Sequence, residues 1–197
     1  MSSTVAADER RERILTAALG VFGRYGFRRT SMDQIAQAAG FSRPAVYQYF
    51  GGKEAVFRAL GERLAAEVVA AAARARHDRG PVADRLYAAL APKLDLVATS
   101  IQPEFRAELF AEAKEVVGDL VADFHDRHLA EVEGLLAEAA DGLPGVGTVI
   151  SARDAALVLV DGLPGIGQEP VPPDEVRRRL RQLIDLVTRG LRDVGPA

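Results

Sequence analysis

Apolar residues recur at intervals of three and four along nearly the whole of this 197-residue chain, and no stretch of strict two-residue alternation competes with them. Ile14, Ala18, Val21, Phe22 and Tyr25 form one such stripe. Val56, Leu60, Leu64, Val68 and Ala71 form a second, and Val121, Phe124, His128, Val132 and Leu135 a third. Side chains spaced in this way share one face of a helix, so the chain is expected to be all-α. About nine helices are expected, at roughly 8–25, 32–39, 43–50, 53–76, 82–99, 103–117, 119–140 and 151–163, with a last one opening at "PPDEV" from residue 172.

The breaks between the stripes carry ordinary stop and start signals. Gly23 and Gly26 weaken the end of the first helix. Thr30 or Ser31 can cap the next, and Ser31 followed by Gln34 fits a capping box. Gly40 closes that helix, Ser42 caps the third, and Pro44 falls in its first turn, where a missing N–H is harmless. Gly51 and Gly52 precede the long helix that opens at Lys53. "DGLPGVG" at 141–147 returns as "DGLPGIG" at 161–167, but the flanks do not match, so the pair reads as coincident turn chemistry.

Composition removes several function classes. There is no cysteine, hence no disulfide, no thiol nucleophile and no thiolate metal site. With 48% hydrophobic and 27% charged residues the chain can bury a sizeable core. It has no run of about 18 apolar residues, and the early charges in "MSSTVAADERRER" do not suit a signal peptide, so a cytoplasmic location without membrane partners is expected. The formal net charge is −3, yet Met1 to Arg63 holds ten basic and six acidic residues, a balance of +4, which leaves −7 for the remainder. An end suited to an anionic partner is joined to an acidic body.

Two short helices joined by a glycine turn, "SMDQIAQAAGFSRPAVYQYF", have the form of a helix-turn-helix. In such a unit the second helix lies in the major groove of DNA. Arg43, Ala45, Tyr47 and Gln48 would then point outward, while Val46 and Phe50 face the core. Arg43 suits a bidentate contact with guanine and Gln48 one with adenine. Arg28 and Arg29 could contact phosphate or form a solvated loop.

The stretch from Arg10 to Leu60 resembles the N-terminal domain of the TetR family of bacterial transcriptional regulators. The matching pattern comprises Ile35, Ala36, Ala39, Gly40, Ser42, Tyr47, Tyr49, Phe50, Lys53 and Glu54. The resemblance implies a DNA-binding domain at 1–52, followed by an effector-binding and dimerisation domain at 53–197, with helix 53–76 connecting them. Tyr47 and Tyr49 would lie near phosphates or support residues that do, although Tyr49 could equally be core. Gln48 would reach the groove and Lys53 would grip a phosphate. The full expected DNA-facing set is Arg28, Thr30, Ser31, Ser42, Arg43, Pro44, Ala45, Tyr47, Gln48, Tyr49 and Lys53. Only three of the 25 basic residues are lysine, and one of them stands at this position. The chain departs from the pattern at Pro44 and Ala45, where glycine and threonine are common, and at Gly52, where serine is. Without that threonine hydroxyl, base reading rests more on Arg43 and Gln48.

The C-terminal part is less legible. Tyr87, Phe105, Phe110, Phe124, His125, His128 and Asp161 are candidates to line an effector pocket, though each aromatic could instead be core. His125 and His128 stand three apart on one helix, but no third metal ligand is placed by sequence, so neither a metal nor a cofactor is expected. The run Arg177, Arg178, Arg179 and Arg181 is flanked by Asp174, Glu175 and Asp185 and reads as a solvated face. An almost wholly apolar helix at 151–163 and a heptad-like seam in the last helix suggest a homodimer built on Ala156, Leu157, Val160, Val176, Leu180, Leu183, Val187 and Leu191.

The reading is a sequence-specific DNA-binding regulator, a repressor released from a palindromic operator by a small-molecule effector, with the fourth helix as lever. An effector-independent DNA-binding or adaptor protein is the alternative. No Gly-rich phosphate loop, metal-spaced cluster or nucleophile with its base supports an enzyme.

Overall fold

The structure, a computed structural model, describes residues 2–166 and 171–193. It contains helices α1 (Ser2–Arg29), α2 (Met32–Ala39), α3 (Arg43–Tyr47), α4 (Lys53–His77), α5 (Val82–Ser100), α6 (Arg106–Glu138), α7 (Ala152–Ile166) and α8 (Pro173–Arg192), with single 3₁₀ turns at Pro103–Phe105 and Ala140–Gly142. No strand occurs among the described residues, and none of their helices is long and apolar enough to cross a membrane. The expected all-α fold is observed. Among the described residues the count is eight helices rather than about nine because the segments expected at 103–117 and 119–140 run together as α6, with a kink at Val117 (φ −137°, ψ 41°) where the expected break falls.

The local signals act as read at the start of the chain. Gly26, with φ 76° and ψ 171°, breaks α1 where only glycine is unstrained. Ser31 accepts from the Gln34 N–H while the Gln34 side chain accepts from the Ser31 N–H, and Gly40 ends α2 in the left-handed conformation. Ser42 caps α3 by accepting from the Ala45 N–H. Gly23 has a different role from the one expected: a Cβ there would lie 1.9 Å from the Ser100 carbonyl oxygen, and the Gly23 carbonyl accepts from the Gln102 N–H. Close backbone approach requires the residue, and α1 runs through it.

One boundary needs correction. The second "DGLPGIG" is helical as far as Ile166, with Pro164 inside α7, and its final residue Gly167 lies outside the described residues. The first copy forms a loop with Gly147 at φ 86°. The difference is context: Ala155, Ala156, Leu159, Val160 and Leu163 of α7 are packed into a core, and that burial outweighs the turn preference.

The chain forms two compact units. The first joins residues 1–65 to 100–122, and the second joins 66–99 to 123–197. Ile14, Leu15, Phe22, Ile35, Val46, Phe50 and Leu60 lie at the centre of the first, where the rings of Phe22, Phe27 and Phe57 also meet within 6.0 Å of one another. The second is centred on Leu86, Leu90, Leu129, Leu135, Leu136, Leu159 and Leu180. Helices α4 and α6 each contribute residues to both units.

Candidate nucleic-acid interface

Short α3 is held from below and from its N-terminal end. Val46 is fully buried and Phe50 nearly so, so that Ser42, Arg43, Pro44, Tyr47 and Gln48 are left exposed in one row. Helical geometry stops at Tyr47, earlier than the expected Phe50, and turn hydrogen bonds from Tyr49 and Phe50 to the Val46 carbonyl carry the chain inward. Tyr47 is 42% exposed, whereas Tyr49 is half-buried against the core, so the two tyrosines divide into one outward ring and one support. Ala45 is half-buried and Ser31, exposed, serves as a cap.

Arg43 stands at the tip of this row. Its Nη1 donates to Asp33 Oδ2 at 2.9 Å, and its guanidinium carbon lies 5.6 Å from the centre of the Tyr47 ring. Tyr47 first and then Asp33 hold the guanidinium above its ordinary value, so it is a permanent cation.

Other expected contacts are placed differently. Thr30 is buried and its hydroxyl donates to the Gly26 carbonyl at 2.7 Å, a carbonyl set free by the break in α1. That engagement withdraws it from any DNA surface. Lys53 Nζ donates to the Phe27 carbonyl at 2.8 Å and the Arg28 carbonyl at 3.2 Å, and sits 4.4 Å from the centre of the Phe27 ring. The ammonium therefore closes the end of α1, with one of its three N–H donors left for a phosphate. Arg28 is exposed but paired, its Nη2 donating to Glu115 at 2.8 Å.

That pairing belongs to an arrangement the sequence did not reveal. Glu108, Glu112, Glu115 and Asp119 follow one another along α6 at helical spacing. Arg29 pairs with Glu108 at 2.6 Å, and Arg58 with Asp119 through two bonds of 2.9 Å that hold the Asp119 carboxyl down at about 2. Glu112, only 3% exposed, accepts the backbone N–H groups of Phe27 at 2.7 Å and Arg28 at 3.1 Å. Those donors would otherwise be orphaned by the Gly26 break. With residues 100–122 included, the first unit holds twelve basic and eleven acidic residues, so the basic end of the sequence is largely neutralised within its own fold.

The second unit gathers four of the seven pocket candidates. His125 Nδ1 lies 3.7 Å from Asp161 Oδ1, and the rings of Phe124 and His128 stack at 5.8 Å. Lys93, which periodicity and motif gave no reason to place here, sits 5.5 Å from the Phe124 ring centre, and burial lowers its pKa against the opposing pull of Asp161. Tyr87 lies under the Arg181 guanidinium instead. Phe105 and Phe110 belong to the first unit, Phe105 beneath Arg29 and Phe110 51% exposed, so they do not join this cluster. No group of three or more metal-ligating side chains occurs among the described residues.

His128 is fully buried. Its Nε2 lies 3.0 Å from the Ala89 carbonyl, so it carries the proton, and Nδ1 has no hydrogen-bond partner. Burial, first of all, holds the imidazole down to about 4 from an ordinary 6.5. Between those values the unfolded chain binds the extra proton and the folded one does not, so stability falls as the pH drops through this window. The loss should approach ~3 kcal/mol at the acid end. Urea denaturation from pH 7 to 4 should show it, and a His128→Phe variant should have a flatter profile.

The expected seam residues Ala156, Val160, Val176, Leu180 and Leu191 are buried in their own chain's core, which leaves them no surface for a partner. Leu157, Leu183 and Val187 are half-buried, and the apolar side chains that do face outward are Val158 at 51% and Leu186 at 72% exposure. Periodicity located the stripe but not which edge of it the core leaves uncovered. In the basic run of α8, Arg178 pairs with its flanking Glu175 on an exposed face as read, whereas Arg177 and Arg181 reach Asp95 and Asp84 of α5, pairings the sequence reading did not include.

A capped helix-turn-helix that leaves Ser42, Arg43, Pro44, Tyr47 and Gln48 exposed has the form of a DNA-binding unit. Residues 14–60 match the family described as bacterial regulatory proteins, tetR family. The HTH-type transcriptional activator FasR of Mycolicibacterium smegmatis is 34% identical over 90 residues, which cover 46% of this chain and 41% of FasR. The chain matches less than half the length of such curated relatives. Over nearly the whole chain the fold is that of a TetR-like transcriptional regulator from Rhodococcus sp. RHA1, at 28% identity and a TM-score of 0.64, with 92% of this chain and 95% of that one covered. The regulator FadR from Bacillus subtilis, solved with stearoyl-CoA, shares the fold at 16% identity and a TM-score of 0.70, with 91% and 98% covered.

Proposed function

We propose that this protein is a cytoplasmic, sequence-specific DNA-binding transcriptional regulator without enzymatic activity, a repressor that leaves a palindromic operator when a small-molecule effector binds. The observation that carries the reading is the exposed row on α3, with Arg43, Tyr47 and Gln48 presented by a capped helix whose other face is anchored by Val46 and Phe50. Residues 1–52 act as the DNA-binding domain and 53–197 receive the effector and dimerise. The cluster of Lys93, Phe124, His125, His128 and Asp161 is the reading's effector site. An unpartnered buried acceptor on His128 supports it, because a buried polar atom without a partner is costly unless something binds there. Self-association uses exposed Val158 and Leu186 with half-buried Leu157, Leu183 and Val187, an apolar set that supports a twofold helical seam.

Regulation has two physical carriers. Helices α4 and α6 each run from one unit into the other, and α6 bears both the carboxylates on Arg28 and Arg29 and the ring cluster of the second unit. An effector that prefers one arrangement of these helices biases DNA affinity by its differential affinity for the two states.

Selection of duplexes from a random pool tests the reading. An enriched inverted repeat, bound by a species of twice the chain mass in sedimentation, is expected. Failure to enrich any sequence, or a one-chain mass at micromolar concentration, counts against it. Ligand-specific thermal stabilisation accompanied by weakened duplex binding separates the regulator from an effector-independent binder.

A further inference from the structure

The geometry points to Asp33 as a positioning residue for DNA recognition, one that holds the Arg43 guanidinium in its reading orientation and keeps it from unspecific phosphates. The inference rests on the DNA-binding reading above and concerns which sequences are refused rather than whether DNA is bound.

Asp33 lies in the first turn of α2 and Arg43 opens α3, so the pair spans the turn of the helix-turn-helix. Both side chains are largely exposed, 64% and 54%, and the ion pair at 2.9 Å does not serve a buried core. A free arginine at such a position is a long mobile cation. It can settle on any phosphate, and phosphate contacts carry no sequence information. Asp33 changes this in two ways. It takes Nη1 and, with the Tyr47 ring 5.6 Å away, restricts the plane of the guanidinium, so that an N–H edge is held in one orientation for an acceptor pair. That edge is a planar fork suited to guanine O6 and N7, and a fork already oriented loses less freedom on binding. The carboxylate also places a negative charge beside the DNA-facing row, which repels backbone phosphate when no guanine is in register to compensate.

The test uses the full-length protein, the duplex enriched from the random pool and a scrambled duplex, with Asp33→Asn and Asp33→Glu variants. Asp33→Asn should bind the scrambled duplex roughly two- to fivefold more tightly, the range that an exposed ion pair spans. Affinity for the enriched duplex should change less, so discrimination falls. The slope of log affinity against log salt on the scrambled duplex should steepen by up to about one, as the released arginine takes a phosphate. Asp33→Glu, which keeps the charge, should restore most of the discrimination. A merely structural role would weaken both duplexes together with no change in slope, and that result overturns the proposal. Equal discrimination by wild type and Asp33→Asn overturns it too while leaving the DNA-binding reading intact. A wild type that discriminates no duplex removes that reading and the role of Asp33 with it.

Discussion

A protein in which Arg43 and Gln48 are both alanine should still bind DNA but no longer tell its operator from random sequence. The two side chains are exposed on one row of α3 and neither supports the core, so the fold should survive. Their chemistry differs: the guanidinium fork matches the two acceptors of guanine, and the carboxamide matches the donor and acceptor of adenine. Removing either bidentate pairing should cost on the order of tenfold or more in discrimination, and the effects at separate base pairs should combine roughly multiplicatively. Affinity for unrelated duplex should fall much less, because Tyr47 and the remaining Lys53 donor are untouched. Electrophoretic mobility shifts or fluorescence anisotropy across a salt series would give both quantities. A variant as selective as the wild type would mean that sequence is read elsewhere.

The second large effect is expected at Glu112, far from any base. Its buried carboxylate accepts from Phe27 and Arg28, just after the Gly26 break, while Lys53 donates to the carbonyls of the same two residues. The Phe27–Arg28 segment is thus clamped on its N–H side by α6 and on its carbonyl side by α4. Glu112→Ala leaves two partly buried backbone donors without their partner, which should cost about 1–3 kcal/mol. In a chain of this size that is a fall of several degrees in the melting midpoint. Glu112→Gln keeps one acceptor and should recover part of the loss. Operator binding should weaken in Glu112→Ala although every DNA-facing side chain remains, because α2 follows directly from the clamped segment. A melting curve unchanged by either substitution would mean that solvent satisfies these donors.

The legible parts of this molecule were those with local causes. The capping box at Ser31, the left-handed Gly40 and the Ser42 cap depend on neighbours within four residues, and each was readable from order alone. So was the division of residues 43–50 into buried Val46 and Phe50 and exposed Arg43 and Gln48, which helical spacing anticipates although helical geometry ends at Tyr47. What escaped was non-local. Thr30 reads as a surface cap until the break at Gly26 presents it with a carbonyl, and Lys53 reads as a phosphate ligand until α1 ends beside it. The acid row on α6 was visible as acids, but its pairing with Arg28, Arg29 and Arg58 spans 61 to 87 residues. In α8 a buried stripe and an exposed one alternate too closely for periodicity to say which the core would claim.

The first unit is discontinuous in sequence, drawing residues 100–122 into the same compact body as 1–65. A chimaeric regulator spliced at residue 52 to acquire a new sensor would receive the reading helix without the carboxylates that neutralise and cap it. Its Arg28 and Arg29 would meet whatever the foreign sensor offered, and background occupancy of the genome would rise as selectivity fell. The transplantable part is therefore a two-segment graft, and lineages that exchange operators by recombination must carry both pieces or rebuild the second by mutation.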